Sequence, residues 1–167
     1  RVRRAREAAR EEAAREVERT DEEVQEAALA ALFCVETSSV IIAVASPPGR
    51  AARGIVRWSG PDAITIATSV LAREGADLPM RGVIASALRL GPATLPVLVI
   101  VARGPRSYTG DDTVEVLLPG NPALLERVVR EVIDAGRTHG VPIRRAEPGE
   151  FTARAFFNAR LTLTQAE

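Results

Sequence analysis

The chain has 167 residues, of which 46% are hydrophobic and 26% charged, and its 22 basic and 22 acidic residues cancel to a formal net charge of zero. Every basic residue is an arginine, which excludes a Walker A phosphate loop and a lysine Schiff base, because both require a lysine. One cysteine (Cys34) and one histidine (His139) cannot form an internal disulfide or a four-ligand structural zinc site, and no apolar run approaches the roughly 20 residues of a membrane-spanning helix.

Residues 1–36 have the composition of a charged helix. They hold 7 arginines and 10 acidic residues, with no glycine or proline. Thr20 followed by Glu23 matches a capping box, which predicts two helical pieces that break near Thr20. The apolar positions are mostly alanine, so we favour a solvated or loosely docked extension over a partner-binding helix. A domain boundary is predicted after residue 36.

Residues 37–167 alternate between strand and helix patterns. Runs of β-branched and apolar residues predict strands, and apolar residues spaced by three and four predict helices. The predicted strands are 40–45, 54–59, 82–90, 97–101, 113–118 and 143–144, and the predicted helices are 62–72, 122–135 and 150–158. Gly136 is expected to end the helix that begins at Pro122. The irregular alternation indicates an α+β fold.

Three loops combine turn residues with polar side chains, as loops that carry function on a rigid scaffold do. They are residues 46–50, 105–112 and 147–152. In the strands that follow the first two loops, alternation places Arg57 on the other sheet face from Val56 and Trp58. It likewise places Glu115 on the other face from its apolar neighbours. From spacing alone we favour the interpretation that Arg57 and Glu115 are solvent-facing strand residues, which could form a cross-strand pair.

The residues of these loops and strands resemble a known family. The strings are SPPGR, GIVRWSGPDA, ARGPRSYTGDDTVEV and AEPGEFTARAFFNARLTLTQAE. Their order and spacing, from about Ser39 to Glu167, resemble the N-terminal folate-binding domain of the tRNA-modification GTPase MnmE (TrmE) family. The PGEFTxRAFxN element is the most specific of them.

The resemblance implies a fold like the tetrahydrofolate-binding domain of the glycine-cleavage aminomethyltransferase (T-protein). It implies a homodimer that holds a 5-formyl- or methylene-tetrahydrofolate as one-carbon donor. It further implies that the protein acts with a MnmG-type flavoprotein to modify C5 of the tRNA wobble uridine. The resemblance also implies that this domain contacts tRNA only indirectly and that the protein is cytoplasmic. The GTP, potassium and magnesium sites of such a protein are expected in helical and GTPase domains beyond residue 167.

The family's folate contacts match three positions of this sequence. The resemblance assigns cofactor binding to Arg57 in IVRWSG, to Glu115 in YTGDDTVE and to Arg160 in FFNARL. A carboxylate can accept hydrogen bonds from the amino and ring N–H groups of a pterin, and arginine offers planar donors to carboxylate or carbonyl oxygens. No catalytic residue and no metal ligand is predicted in this chain.

The sequence also departs from the family pattern. The family's H-G-G-P is PGNP here, at residues 119–122, and Thr162 stands where an aspartate is usual. Two alternatives therefore stay open beside folate binding. One is a degenerate, non-catalytic dimerisation or docking module of the same family, and the other is a free-standing relative of the aminomethyltransferase.

Overall fold

The computed structural model describes residues 38–72 and 77–166, which comprise a mixed α+β unit. The elements in chain order are β1 (Val40–Val44), β2 (Ala51–Ser59), α1 (Ala63–Val70), β3 (Arg81–Leu90), β4 (Ala93–Ala102), β5 (Thr113–Gly120), α2 (Pro122–Thr138), β6 (Ile143–Arg145), α3 (Glu150–Phe157) and α4 (Leu163–Ala166). The predicted helical extension over residues 1–36 and Cys34 lie outside the described residues. The predicted domain boundary stays a prediction.

The six strands form one sheet in the order β3-β4-β5-β2-β1-β6. Neighbouring strands are antiparallel except for β1 and β6, which pair in parallel through Val40 and Ile143. Helices α1 and α2 contact each other and the same face of the sheet. This arrangement confirms the predicted α+β class.

The core lies between the sheet and these two helices, and strand alternation builds it. Val56 and Trp58 are fully buried there, while Arg57 between them faces the other side, as predicted. The indole Nε1 of Trp58 donates a hydrogen bond of 2.9 Å to the carbonyl of Ala63. That bond satisfies the one polar group of the tryptophan and fixes the first turn of α1 against β2.

Strand β4 is longer than the prediction of 97–101, because it begins at Ala93 and includes Pro96. A two-residue turn joins β3 to β4, and Gly91 in that turn has a φ of +62°. Pro96 pairs with Ala87 of β3 but lies beyond the pairing of β4 with β5, which starts at Leu98. A residue without an N–H is tolerated there, because no β5 carbonyl lies opposite to accept one.

The prediction that Gly136 ends α2 was wrong, because the helix continues to Thr138. Gly136 is buried in the helix, and a Cβ at this position would overlap Cγ2 of Ile143 on β6. The glycine therefore allows α2 to approach the sheet closely. His139 follows at the C-cap and is exposed.

No helix in the described part of the chain combines the length and the hydropathy of a membrane-spanning segment.

Candidate functional site

Arg57 and Glu115 form a cross-strand ion pair on the sheet face opposite α1 and α2. They are register partners of β2 and β5, so the pairing of the strands places their side chains side by side. Nε and Nη2 of Arg57 both lie 2.6 Å from the same carboxylate oxygen, Oε1. The second oxygen, Oε2, receives no hydrogen bond from the described residues. The arginine and glutamate side chains keep 31% and 19% of their surface exposed, so the pair is accessible to a ligand.

The pair stands in the middle of an apolar row that crosses the sheet. Register pairing puts Val83 next to Ile100, Ile100 next to Glu115, Glu115 next to Arg57, and Arg57 next to Ala43. Val83 at the end of the row is 62% exposed. An ion pair on such a face has hydrocarbon on both sides and solvent above, which strengthens its electrostatic interactions relative to bulk water.

Helix α3 reaches the pair through its second residue. The guanidinium of Arg57 stands over the ring of Phe151, with Cζ 5.6 Å from the ring centroid. This separation lies within the range of a cation–π interaction. The third predicted loop, 147–152, therefore does lie at the Arg57–Glu115 pair.

A buried ion cluster fixes the start of α3. Glu150 is 2% exposed, and Arg144 of β6 binds its two carboxylate oxygens at 2.7 and 2.8 Å. The backbone N–H of Glu147 donates to the same carboxylate at 2.9 Å, and the buried Arg154 lies 3.3 Å from it. Arg154 also donates to the carbonyl of Ser39 at 2.7 Å, which ties α3 to the start of β1.

This cluster shifts the ionisation of Glu150. Burial by itself would raise the pKa of the carboxyl. The hydrogen bonds from Arg144 and from the Glu147 N–H, with the charges of Arg144 and Arg154, outweigh it and hold the pKa of Glu150 below its usual value. The carboxylate is therefore charged at neutral pH although it is almost fully buried.

The second predicted loop packs against α3 and its C-cap. Gly110 adopts a left-handed φ of +87°, and the side-chain amide of Asn158, the C-cap of α3, donates to the carbonyl of Thr109 at 2.6 Å. The hydroxyl of Tyr108, a half-exposed residue, lies 3.2 Å from the hydroxyl of Thr152 on α3. These contacts hold the loop against the helix that carries Phe151.

Asp111 in this loop is an acidic group in an unusual environment. Burial raises the pKa of its carboxyl, and the adjacent charge of Asp112 acts in the same direction. The charge of Arg154 and the amide of Asn158 offset part of that rise in pKa.

Arg160, the third predicted folate contact, lies apart from the other two. It follows the C-terminal end of α3 and is exposed, whereas Phe151 meets Arg57 at the N-terminal end. The eight residues of α3 separate the two ends by about 12 Å. The structure brings Arg57 and Glu115 together and does not bring Arg160 into contact with them.

The first predicted loop, 46–50, lies at a different place. With Leu125 and Glu126 of α2, it lines a cleft of about 360 Å³ that shares no residue with the Arg57–Glu115 pair. Among the described residues, no group of three or more His, Cys, Asp and Glu side chains could hold a metal ion.

Comparison with known proteins connects this geometry to a family. The family described as GTP-binding protein TrmE N-terminus matches residues 40–160, a range that contains β1 to α3 and all three predicted contacts. The chain belongs to the TrmE N-terminal family. Its match ends at Arg160, the last of those contacts.

Relatives from distant bacteria carry the same assignment. The chain is 42% identical over 134 residues to a tRNA modification GTPase MnmE of Roseiflexus castenholzii, covering 76% of the chain and 27% of the relative. It is 42% identical over 132 residues to the MnmE of Bordetella parapertussis (76% and 28%) and 38% identical over 127 residues to that of Thermotoga maritima (76% and 27%). The chain thus spans about a quarter of the length of these relatives.

Sequence reasoning missed four residues of this TrmE-type domain that shape the site. They are Arg144, Glu150, Phe151 and Arg154. The PGEFTxRAF string was recognised as specific, and the spacing of four between Glu150 and Arg154 is a signal for an ion pair on a helix. The contacts of Phe151 with Arg57 and of Arg144 with Glu150 join separate elements, so no local pattern indicates them.

Proposed function

We propose that this domain binds a tetrahydrofolate derivative and presents it as one-carbon donor for modification of the tRNA wobble uridine. Glu115 carries the proposal: one of its oxygens is held by Arg57, and the other receives no hydrogen bond from the described residues. A pterin offers adjacent amino and ring N–H groups, which are donors that such an oxygen accepts. The relatives are tRNA modification GTPases, and they supply the biological setting of the proposal.

Arg160 completes the proposed site at a distance from the pair. Tetrahydrofolate is elongated, with a pterin at one end and carboxylates at the other, so one molecule can meet groups at both ends of α3. With the pterin at Glu115, the glutamate tail would lie toward Arg160, whose exposed guanidinium suits a carboxylate.

The proposal includes the fold relationship with the glycine-cleavage T-protein. GTP, potassium and magnesium would be bound by other domains.

The open sheet face suits the homodimer in the same proposal. Val83 is exposed, and Leu98, Ile100 and Leu117 are incompletely buried on this face. Exposed apolar surface of this kind marks an interaction site, and a second copy of the chain would cover it next to the Arg57–Glu115 pair. A MnmG-type flavoprotein and, indirectly, tRNA in the cytoplasm would be the further partners of the whole protein.

Calorimetric titration with 5-formyl-tetrahydrofolate tests the folate proposal. We expect binding by the chain and a loss of at least about ten-fold in affinity for Glu115→Ala, because a charge-assisted hydrogen bond contributes about 1.5–3 kcal/mol. Glu131→Ala is the control, since Glu131 lies in an exposed pair with Arg127 on α2. Absence of binding, or equal affinity of Glu115→Ala and wild type, would favour the alternative, a non-catalytic docking module.

A further inference from the structure

Arg57 holds Glu115 in an asymmetric way. Two nitrogens of the guanidinium, Nε and Nη2, approach the single oxygen Oε1, both at 2.6 Å. In the fork-to-fork arrangement common for arginine and carboxylate, two nitrogens bind two different oxygens. That common arrangement would occupy Oε2 as well. Something must therefore favour the geometry that leaves Oε2 open.

The strands alone do not restrain the guanidinium. Arginine is long and rotamer-rich, and the neighbour of Arg57 on β1 is Ala43, whose side chain is a single methyl group. The aromatic ring of Phe151 lies against the guanidinium, which stands over it with Cζ 5.6 Å from the centroid. The guanidinium of an arginine can bind a carboxylate through its N–H groups and stack on an aromatic ring at the same time, since its charge is delocalised over a plane.

The ring itself is fixed by the backbone next to it. Phe151 follows Glu150, whose carboxylate is held by Arg144, by the Glu147 N–H and by Arg154. A residue adjacent to such an anchor has little freedom in its own backbone position. The ring of Phe151 therefore extends toward the sheet face from a backbone position that the contacts of Glu150 fix.

We propose that Phe151 is a positioning residue of the ligand site. It holds the Arg57 guanidinium on Oε1 of Glu115, so that Oε2 stays available for the N–H donors of a bound pterin. This inference rests on the proposed folate function. Without the aromatic face, Arg57 would swing into the two-oxygen arrangement and block the ligand's acceptor.

A measurement without ligand tests the contact. A guanidinium over an aromatic ring lies in its ring current, so we expect Phe151→Leu to shift the NMR signal of the Arg57 Nε–H and Phe151→Tyr to leave it in place. Phe156→Leu on the same helix is the matched control, because Phe156 packs edge-to-face on Phe157 at 5.7 Å. An Arg57 signal unchanged by Phe151→Leu would refute the positioning role.

Titration with 5-formyl-tetrahydrofolate tests the consequence. We expect Phe151→Leu to weaken binding about five-fold, equivalent to about 1 kcal/mol, while Phe151→Tyr and Phe156→Leu bind like wild type. In an Arg57→Met background, Phe151→Leu should have no further effect, because the two residues act through one interaction.

The outcomes separate the two proposals. Equal weakening by Phe151→Leu with and without Arg57 would overturn positioning and indicate a direct or purely structural role. Unchanged affinity of Phe151→Leu would overturn it as well. If wild type does not bind folate but its Arg57 signal shifts on Phe151→Leu, the folate function fails and the contact between Phe151 and Arg57 stands.

Discussion

Replacing Glu150 with glutamine tests whether the buried ion cluster fixes α3 to the sheet. The substitution keeps the size of the side chain but removes its charge. It also turns an amide NH₂ toward donors that now bind the carboxylate, namely Arg144 and the Glu147 N–H. Arg154, which is fully buried, loses the negative charge 3.3 Å away.

The expected cost follows from that burial. Removing one partner of a buried ion pair destabilises a protein by about 3–5 kcal/mol, because the other charge stays buried without compensation. Here Arg144 is partly exposed and Arg154 keeps its bond to the Ser39 carbonyl, so we expect about 3 kcal/mol. For a chain of this length, that corresponds to a drop of roughly 6–12 °C in Tm.

Urea unfolding followed by Trp58 fluorescence measures the effect. Trp58 is the only tryptophan and is fully buried, so its emission reports the core directly. The pKa of Glu150 is held below its usual value in the folded protein, so its stabilisation is complete above the unfolded-state pKa of about 4.3. It is lost as the pH falls through the lower folded-state pKa, and the gap between wild type and Glu150→Gln should narrow there.

Glu131→Gln is the matched control for this experiment. Glu131 lies 3.7 Å from Arg127 in an exposed pair on α2, so its neutralisation should cost less than about 0.5 kcal/mol. A Glu150→Gln variant within about 1 kcal/mol of wild type at neutral pH would contradict the reasoning. So would a gap that stays constant down to acid pH.

Two further predictions concern packing and assembly. Gly136→Ala should destabilise the fold by about 1–3 kcal/mol in urea unfolding, although alanine favours helix, because the added Cβ overlaps Ile143. Ile143→Ala removes the overlapping methyl, so the costs of the two substitutions should not add in the double variant. Val83→Asp should convert the proposed dimer to a monomer in analytical ultracentrifugation, whereas Thr65→Asp on an exposed position of α1 should not; an unchanged dimer in Val83→Asp would exclude this face.

The fold was predictable where periodicity and burial agree. The alternation that puts Val56 and Trp58 inside and Arg57 outside is visible in the sequence, and the structure confirms it. The end of α2 was not predictable, because glycine is a common C-cap and nothing local distinguishes it from a glycine at a close approach. The close approach of Ile143, seven residues later in the chain, explains why a glycine stands at position 136 within the helix.

The polar residues of the site were predictable, and a cross-strand pair was one of the arrangements left open, but the distances within the site were not predictable. Arg57 and Glu115 were matched from separate motifs, but only the register of β2 and β5 makes them a pair. Arg160 was matched with equal weight, yet it lies at the far end of α3 from the pair. A motif match assigns residues to a family pattern and carries no distance between them.

The structure also gives a role to residues of the α3 motif that are not among the proposed folate contacts. Gly149 adopts a left-handed φ of +80° that turns the chain into α3, and Glu150 is bound by groups from β6 and from the helix itself. Arg154 connects that anchor to β1 through Ser39. Groups from β6, from β1 and from α3 itself therefore hold the helix start next to Phe151, the residue that contacts Arg57. A change at Glu150 should consequently weaken ligand binding through the orientation of Arg57, without removing any group that contacts the ligand.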